Sequence, residues 1–152
     1  MPSADTPKTI KLYGFAVMTE ALALGPTTPG MLVEPADDRV RPHATAAGTA
    51  APSFAVENGM IGGGIDDDYQ EGDTVLIETF APGSRVYALA AAGADAIAKN
   101  ALLASAGDGT LAPAGDDEIA VAQAVDALDN SGGATPARIR VVVIPAQRTA
   151  AV

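Results

Sequence analysis

The chain has 152 residues, a formal net charge of −10 and no cysteine; 48% of it is hydrophobic but only 4% aromatic. That length suits one domain, the acidity argues against a phosphate-backbone footprint and against anionic membranes, and the missing cysteines exclude disulfides and thiolate chemistry. Much of the apolar share is alanine, which contributes little transfer free energy when buried, so a core of this kind is expected to draw on other copies of the chain.

Met1 is followed by polar residues up to Lys8 without a signal-peptide pattern. No stretch approaches the ~20 apolar residues of a membrane span, so a soluble protein is expected. Residues 1–14 read as a flexible N-terminal arm or first strand, and 15–152 as a single β-rich domain. Within the arm, Lys8, Ile10, Lys11, Leu12 and Tyr13 belong to an alternating polar and apolar run, a strand signal. Phe15-Ala16-Val17-Met18 either continues that strand past Gly14 or starts a second one. The stretch Gly25-Pro26-Thr27-Thr28-Pro29-Gly30 reads as a loop.

Met31-Leu32-Val33-Glu34 predicts a short strand stopped by Pro35. Asp37-Asp38 predicts a turn, and Arg39-Val40-Arg41 the returning strand of a compact hairpin. Ser53-Phe54-Ala55-Val56-Glu57 is a strand candidate. An exposed loop holds Gly62-Gly63-Gly64 and Asp66-Asp67-Asp68. Thr74-Val75-Leu76-Ile77-Glu78-Thr79 and Arg85-Val86-Tyr87-Ala88-Leu89 flank Pro82-Gly83 and predict a second hairpin. Residues 90–99 are alanine-rich and compatible with a short helix.

Gly107-Asp108-Gly109 sits between two short apolar runs, a third hairpin. Residues 119–125 divide between helix, from their alanines, and strand, from Ile119, Val121 and Val125 on one face. Arg138-Ile139-Arg140-Val141-Val142-Val143-Ile144 predicts a strong last strand, ended by Pro145. The sum is an all-β fold, a β-barrel or β-sandwich of short antiparallel strands with at most one or two short helices.

Few residues offer chemistry. His43 is the single histidine, so an imidazole metal site is not available. A Ser-His-Asp triad lacks its G-x-S-x-G elbow, and a hydrogen-bonded or exposed loop histidine is expected. Gly62-Gly63-Gly64 is followed by Ile65 and three aspartates, not by the Lys-Ser/Thr of a phosphate loop. Asp66, Asp67, Asp68, Glu71 and Asp73 form a candidate cation loop of hard oxygens. It departs from the EF-hand pattern, which needs Gly where Glu71 stands and Glu where Ile77 stands. Glu71-Gly72-Asp73-Thr74-Val75 resembles the strand openings of biotinyl and lipoyl carrier domains, but the later Lys99 lacks the hairpin tip such a domain needs. No catalytic residue, cofactor or metal is assigned. Aspartate outnumbers glutamate and arginine outnumbers lysine, a bias that a halophilic cytoplasm and a GC-rich genome both produce.

Several of these stretches, taken in order, resemble a known family: Gly30-Met31-Leu32-Val33-Glu34, Asp38-Arg39-Val40-Arg41-Pro42-His43, Phe54-Ala55-Val56-Glu57-Asn58, the loop from Gly62 through Tyr69, Gly72-Asp73-Thr74-Val75, Pro82-Gly83-Ser84-Arg85-Val86-Tyr87-Ala88-Leu89 and Gly107-Asp108-Gly109-Thr110-Leu111. The order is similar to that of head decoration (capsid cement) proteins of tailed bacteriophages and archaeal tailed viruses, over residues 30–112. The resemblance implies a non-enzymatic protein on the outer capsid surface of the virion, made in the host cytoplasm. Its implied partners are the major capsid protein and copies of itself, as a homotrimer at three-fold or quasi-three-fold positions, with no nucleic acid and no membrane. Lys8, Ile10, Lys11, Leu12 and Tyr13 are the candidate capsid contacts, as a strand added to a capsid sheet edge; the competing expectation is that this strand joins the protein's own sheet.

Overall fold

Eleven short strands, and no α-helix among the described residues, build the computed structural model, which describes residues 6–151. In chain order they are β1 (Lys11–Tyr13), β2 (Ala16–Ala23), β3 (Val33–Ala36), β4 (Arg39–Pro42), β5 (Ser53–Val56), β6 (Thr74–Phe80), β7 (Arg85–Ala90), β8 (Leu102–Ser105), β9 (Leu111–Pro113), β10 (Ile119–Ala124) and β11 (Ala137–Arg148). A 3-10 turn, Gly59–Ile61, is capped by the Asn58 side chain, which accepts from the Met60 N–H.

The strands form two sheets. The first runs β1-β7-β11-β10-β8-β9 and curls until β9 meets β7, Ala90 opposite Leu111. The second runs β3-β4-β2-β6-β5, and its ends also approach: Leu32 bridges Phe54, and the Gly30 N–H donates to the Ala55 carbonyl. Most pairings are antiparallel, as expected, but β2–β4 and β7–β9 are parallel.

One apolar cluster lies within the second sheet, and a larger one draws side chains from both sheets. The larger cluster joins Ile10, Phe54, Phe80, Val86, Leu103, Leu111, Ile139, Val141 and Val143, and Phe54 meets Phe80 edge to face at 6.0 Å. The smaller holds Ala23, Val33, Val40, Ala55, Tyr69, Val75 and Ile77 inside the second sheet. At ~1.5–3 kcal/mol for each fully buried Val, Leu, Ile or Phe, these two groups are the principal stabilisation of the fold. The alanines serve as close-packing spacers: Ala120, Ala122 and Ala124 are buried along β10.

Several expectations need correcting. Thr74–Phe80 and Arg85–Ala90 are strands, but not a hairpin: β6 pairs with β2 and β5, and β7 with β1 and β11. The turn between them bonds to a third strand, the Gly83 N–H donating to Val143 and the Val143 N–H to Ser84. Residues 91–99 hold no helix; Gly93 turns the chain at φ +72° and Ile97 bridges Leu128. Residues 119–124 are strand, with the alanines buried more deeply than Ile119. Pro35 and Pro145 do not end their strands. Pro35 continues to Ala36, and residues 144–146 bulge opposite Val121, where a missing ladder N–H is tolerated.

Candidate functional site

The N-terminal strand lies in the protein's own first sheet. Lys11 stands opposite Val86 and Tyr13 opposite Arg85, whose guanidinium lies 5.3 Å from the Tyr13 ring centroid. Ile10 is fully buried; its carbonyl accepts the Tyr87 N–H at 2.7 Å and its N–H donates to Glu57 Oε2 at 3.0 Å. Ile10 is therefore a core residue of the protein itself. Lys8 and Tyr13 are exposed, while Lys11 and Leu12 are half-buried. Residues 1–5, the rest of the expected arm, lie outside the described residues.

Behind that strand sits a group of carboxylates. Burial pushes the Glu78 carboxyl above its usual range, the Lys11 charge opposes the shift, and Glu57 adds to it. Burial likewise raises Tyr69, whose hydroxyl donates to the Val56 carbonyl at 2.5 Å. Lys11, offered as a charge for a capsid surface, thus already acts within the protein.

In the acidic loop the five carboxylates do not converge. Asp67 Oδ2 accepts the Gly64 N–H and Asp73 Oδ2 the Gln70 N–H, each at 2.7 Å. Asp66 lies 3.4 Å from Arg138, and Asp68 and Glu71 are exposed. Among the described residues no three acidic or histidine side chains are placed to share a metal ion. Two of these aspartates act as local turn formers, which is their common use in loops.

His43 is buried, where the sequence left exposure open. Its Nδ1 is 2.7 Å from Ser105 Oγ, and its Nε2 is 3.1 Å from the Thr49 carbonyl and 3.4 Å from Glu34 Oε1. The Thr49 carbonyl can only accept, which places a proton on Nε2; in the neutral imidazole, Nδ1 accepts from the Ser105 hydroxyl. Ser105 is itself buried, and its Oγ accepts the Gly107 N–H at 3.1 Å. Serine, histidine and glutamate therefore line up, but with the serine closed off from any substrate. They fasten the end of β4 to β8.

No protein-family model and no curated protein matches the chain. Among solved structures, the head fiber gp8.5 N base of bacteriophage phi29 superposes with a TM-score of 0.56, covering 85% of this chain and 94% of that one. The two share a fold. At 16% identity the likeness is one of architecture, not of side chains. It is also wider than residues 30–112, where the sequence resemblance lay.

Sequence reasoning missed one surface altogether. Phe15, Val17 and Met18 are 82%, 68% and 55% exposed at the start of β2. Their apolar character signalled a strand, and nothing in the pattern told that both of its faces lie open.

Proposed function

We propose that this protein is a non-enzymatic structural component of a tailed-virus head, which binds the outside of the assembled major capsid protein lattice and stabilises it. The observation that carries the reading is the shared fold with a phage head-fiber base, spanning nearly all of that chain. The resemblance in sequence to capsid cement proteins supports it independently. So does the chemistry: the carboxylates of the acidic loop are spread over turns, and the single histidine is tied up in the interior.

A protein that binds the assembled lattice and not the free subunit stabilises assembly by linkage. The test is to mix purified protein with undecorated, expanded capsids and image them. Added density above the lattice, with shells that resist heating better, supports the proposal; free protein beside bare shells defeats it. The symmetry of that density reads the three-fold seat and homotrimer directly. The name of the fold neighbour also favours a second reading, a base that seats a fibre or turret on the virion. A further virion protein captured by the capsid-bound chain would select it.

A further inference from the structure

Among the described residues, strand β2 keeps one edge open. Its ladder to β6 uses the odd-numbered residues: the Phe15 carbonyl accepts from Ala81, and the Ala23 N–H donates to Asp73. In an antiparallel pair the alternate residues then turn their N–H and C=O the other way. Those are Ala16, Met18 and Glu20, and β4 covers that side only at Leu22 and Ala23. Natural edges of this kind are guarded by proline, lysine or a bulge. Residues 16–20 contain no proline or lysine, and their register against β6 runs without a shift. Phe15 and Val17 stand exposed on one side of the ribbon, Met18 and Leu22 on the other.

We propose that this edge joins two copies of the chain, β2 against β2 of a second copy, antiparallel about a two-fold axis at Met18. Charge and exposure favour a second copy as the occupant, and the register accepts it. The outward-facing residues map onto themselves: Ala16 meets Glu20 of the second copy, Met18 meets Met18, and Val17 meets Thr19, so no like charges face each other. Residues 12–19 carry no charged side chain although the chain carries −10, so two acidic molecules meet along this stretch with little local repulsion, and Glu20 at its end faces Ala16 of the second copy. At the ~150–250 Å² that an aromatic side chain can bury, Phe15 alone, 82% exposed, offers about 120–200 Å² towards the roughly 800 Å² per partner of a standard interface. The contact does not rest on the capsid reading. It is also compatible with a three-fold seat, which uses a head-to-tail surface and leaves β2 to join neighbours.

Sedimentation equilibrium of the full chain at 0.15 M and at ~1 M salt, where screening removes most of the repulsion between acidic bodies, tests the proposal. The expected mass is an even multiple of the protomer. Met18→Lys places two ammonium groups on Cα atoms about 5.5 Å apart and halves that mass, with an unchanged circular dichroism spectrum. Met18→Cys, in a chain without cysteine, gives a disulfide-linked pair under mild oxidation, faster than Ser131→Cys in an exposed turn. A monomer or an odd multiple at every concentration overturns the proposal. So does a mass that Met18→Lys leaves unchanged, or a Met18→Cys protein that cross-links no faster than the Ser131→Cys protein once the spectrum shows both variants folded.

Discussion

Gly14 and Ser84 stand back to back where the chain crosses twice between its two sheets. Gly14 links β1 of the first sheet to β2 of the second, and Ser84 lies between β6 of the second and β7 of the first. The Ser84 hydroxyl accepts the Phe15 N–H at 3.1 Å and donates to the Phe15 carbonyl at 3.2 Å. Gly14 has φ +114°, and a Cβ there would stand 2.6 Å from Ser84 Cα. Gly14→Ala is therefore expected to cost about 2–3 kcal/mol, combining a strained backbone and a clash with main chain. At roughly 2–4 °C per kcal/mol for a domain of this size, calorimetry should find Tm lower by about 5–10 °C. Ser84→Ala, which leaves the Phe15 N–H without its partner, should cost about 1–3 kcal/mol. A Gly14→Ala protein that melts with the wild type would refute the double crossing.

Arg138 fixes the acidic loop from a distance in sequence. From β11 its Nη1 donates to the Pro29 carbonyl and its Nη2 to the Ile65 carbonyl, each at 2.5 Å, and its guanidinium lies 5.8 Å from the Tyr87 ring centroid. A planar fork reaches two carbonyls at once; an ammonium does not reproduce that. Arg138→Ala should lose about 2–3 kcal/mol, in the range of charge-assisted hydrogen bonds, and Arg138→Lys should recover less than half. Limited proteolysis should cut residues 62–68 faster in both variants. Equal cleavage of wild type and Arg138→Ala would show that the loop holds its shape without this anchor.

What the sequence disclosed follows the range of the interactions involved. The β3–β4 and β8–β9 hairpins were legible because Asp37-Asp38 and Gly107-Asp108-Gly109 set them locally; Asp108, for one, accepts the Thr110 N–H at 3.0 Å. The β6 and β7 strands were legible too, but their partners were not. Alternation says which face is buried and is silent on which strand lies alongside. Pro145 misled because a bulge, visible only in the pairing with β10, accommodates it. The alanine row of β10 left helix and strand both open, because helix propensity is a weak prior that tertiary packing overrides. Of the candidate site, the acidic loop was found as a loop. Its tie to Arg138 through Asp66 and the burial of His43 against Ser105 depend on contacts more than sixty residues apart.

The buried His43–Ser105 pair predicts a structural and not a functional phenotype. Ser105→Ala leaves Nδ1 of His43 without its donor and the Gly107 N–H without its acceptor. A cost of about 1–3 kcal/mol follows from orphaning buried polar groups. Urea unfolding should show a lower midpoint with an unchanged m-value, and capsid binding by the folded fraction should be unaffected. Loss of binding at full stability would mean that this pair belongs to the working surface after all.

Glu78 makes the fold pH-dependent in a direction opposite to that of an ordinary salt-bridged carboxylate. Its carboxyl is raised above the reference value of 4.5, first by burial, with Lys11 opposing and Glu57 reinforcing the shift. A raised folded-state pKa means that the native protein binds the proton more tightly than the unfolded chain does. The stabilising contribution is then complete below 4.5 and is lost as pH rises through the elevated value. Glu78→Gln removes the charge but keeps the shape, so it should raise the urea midpoint at pH 7 and change it little at pH 4. Lys11→Gln should do the reverse at pH 7, lowering stability by taking away the charge that offsets burial. A Glu78→Gln protein less stable than wild type at pH 7 would mean that the ionised carboxylate is held by partners stronger than Lys11.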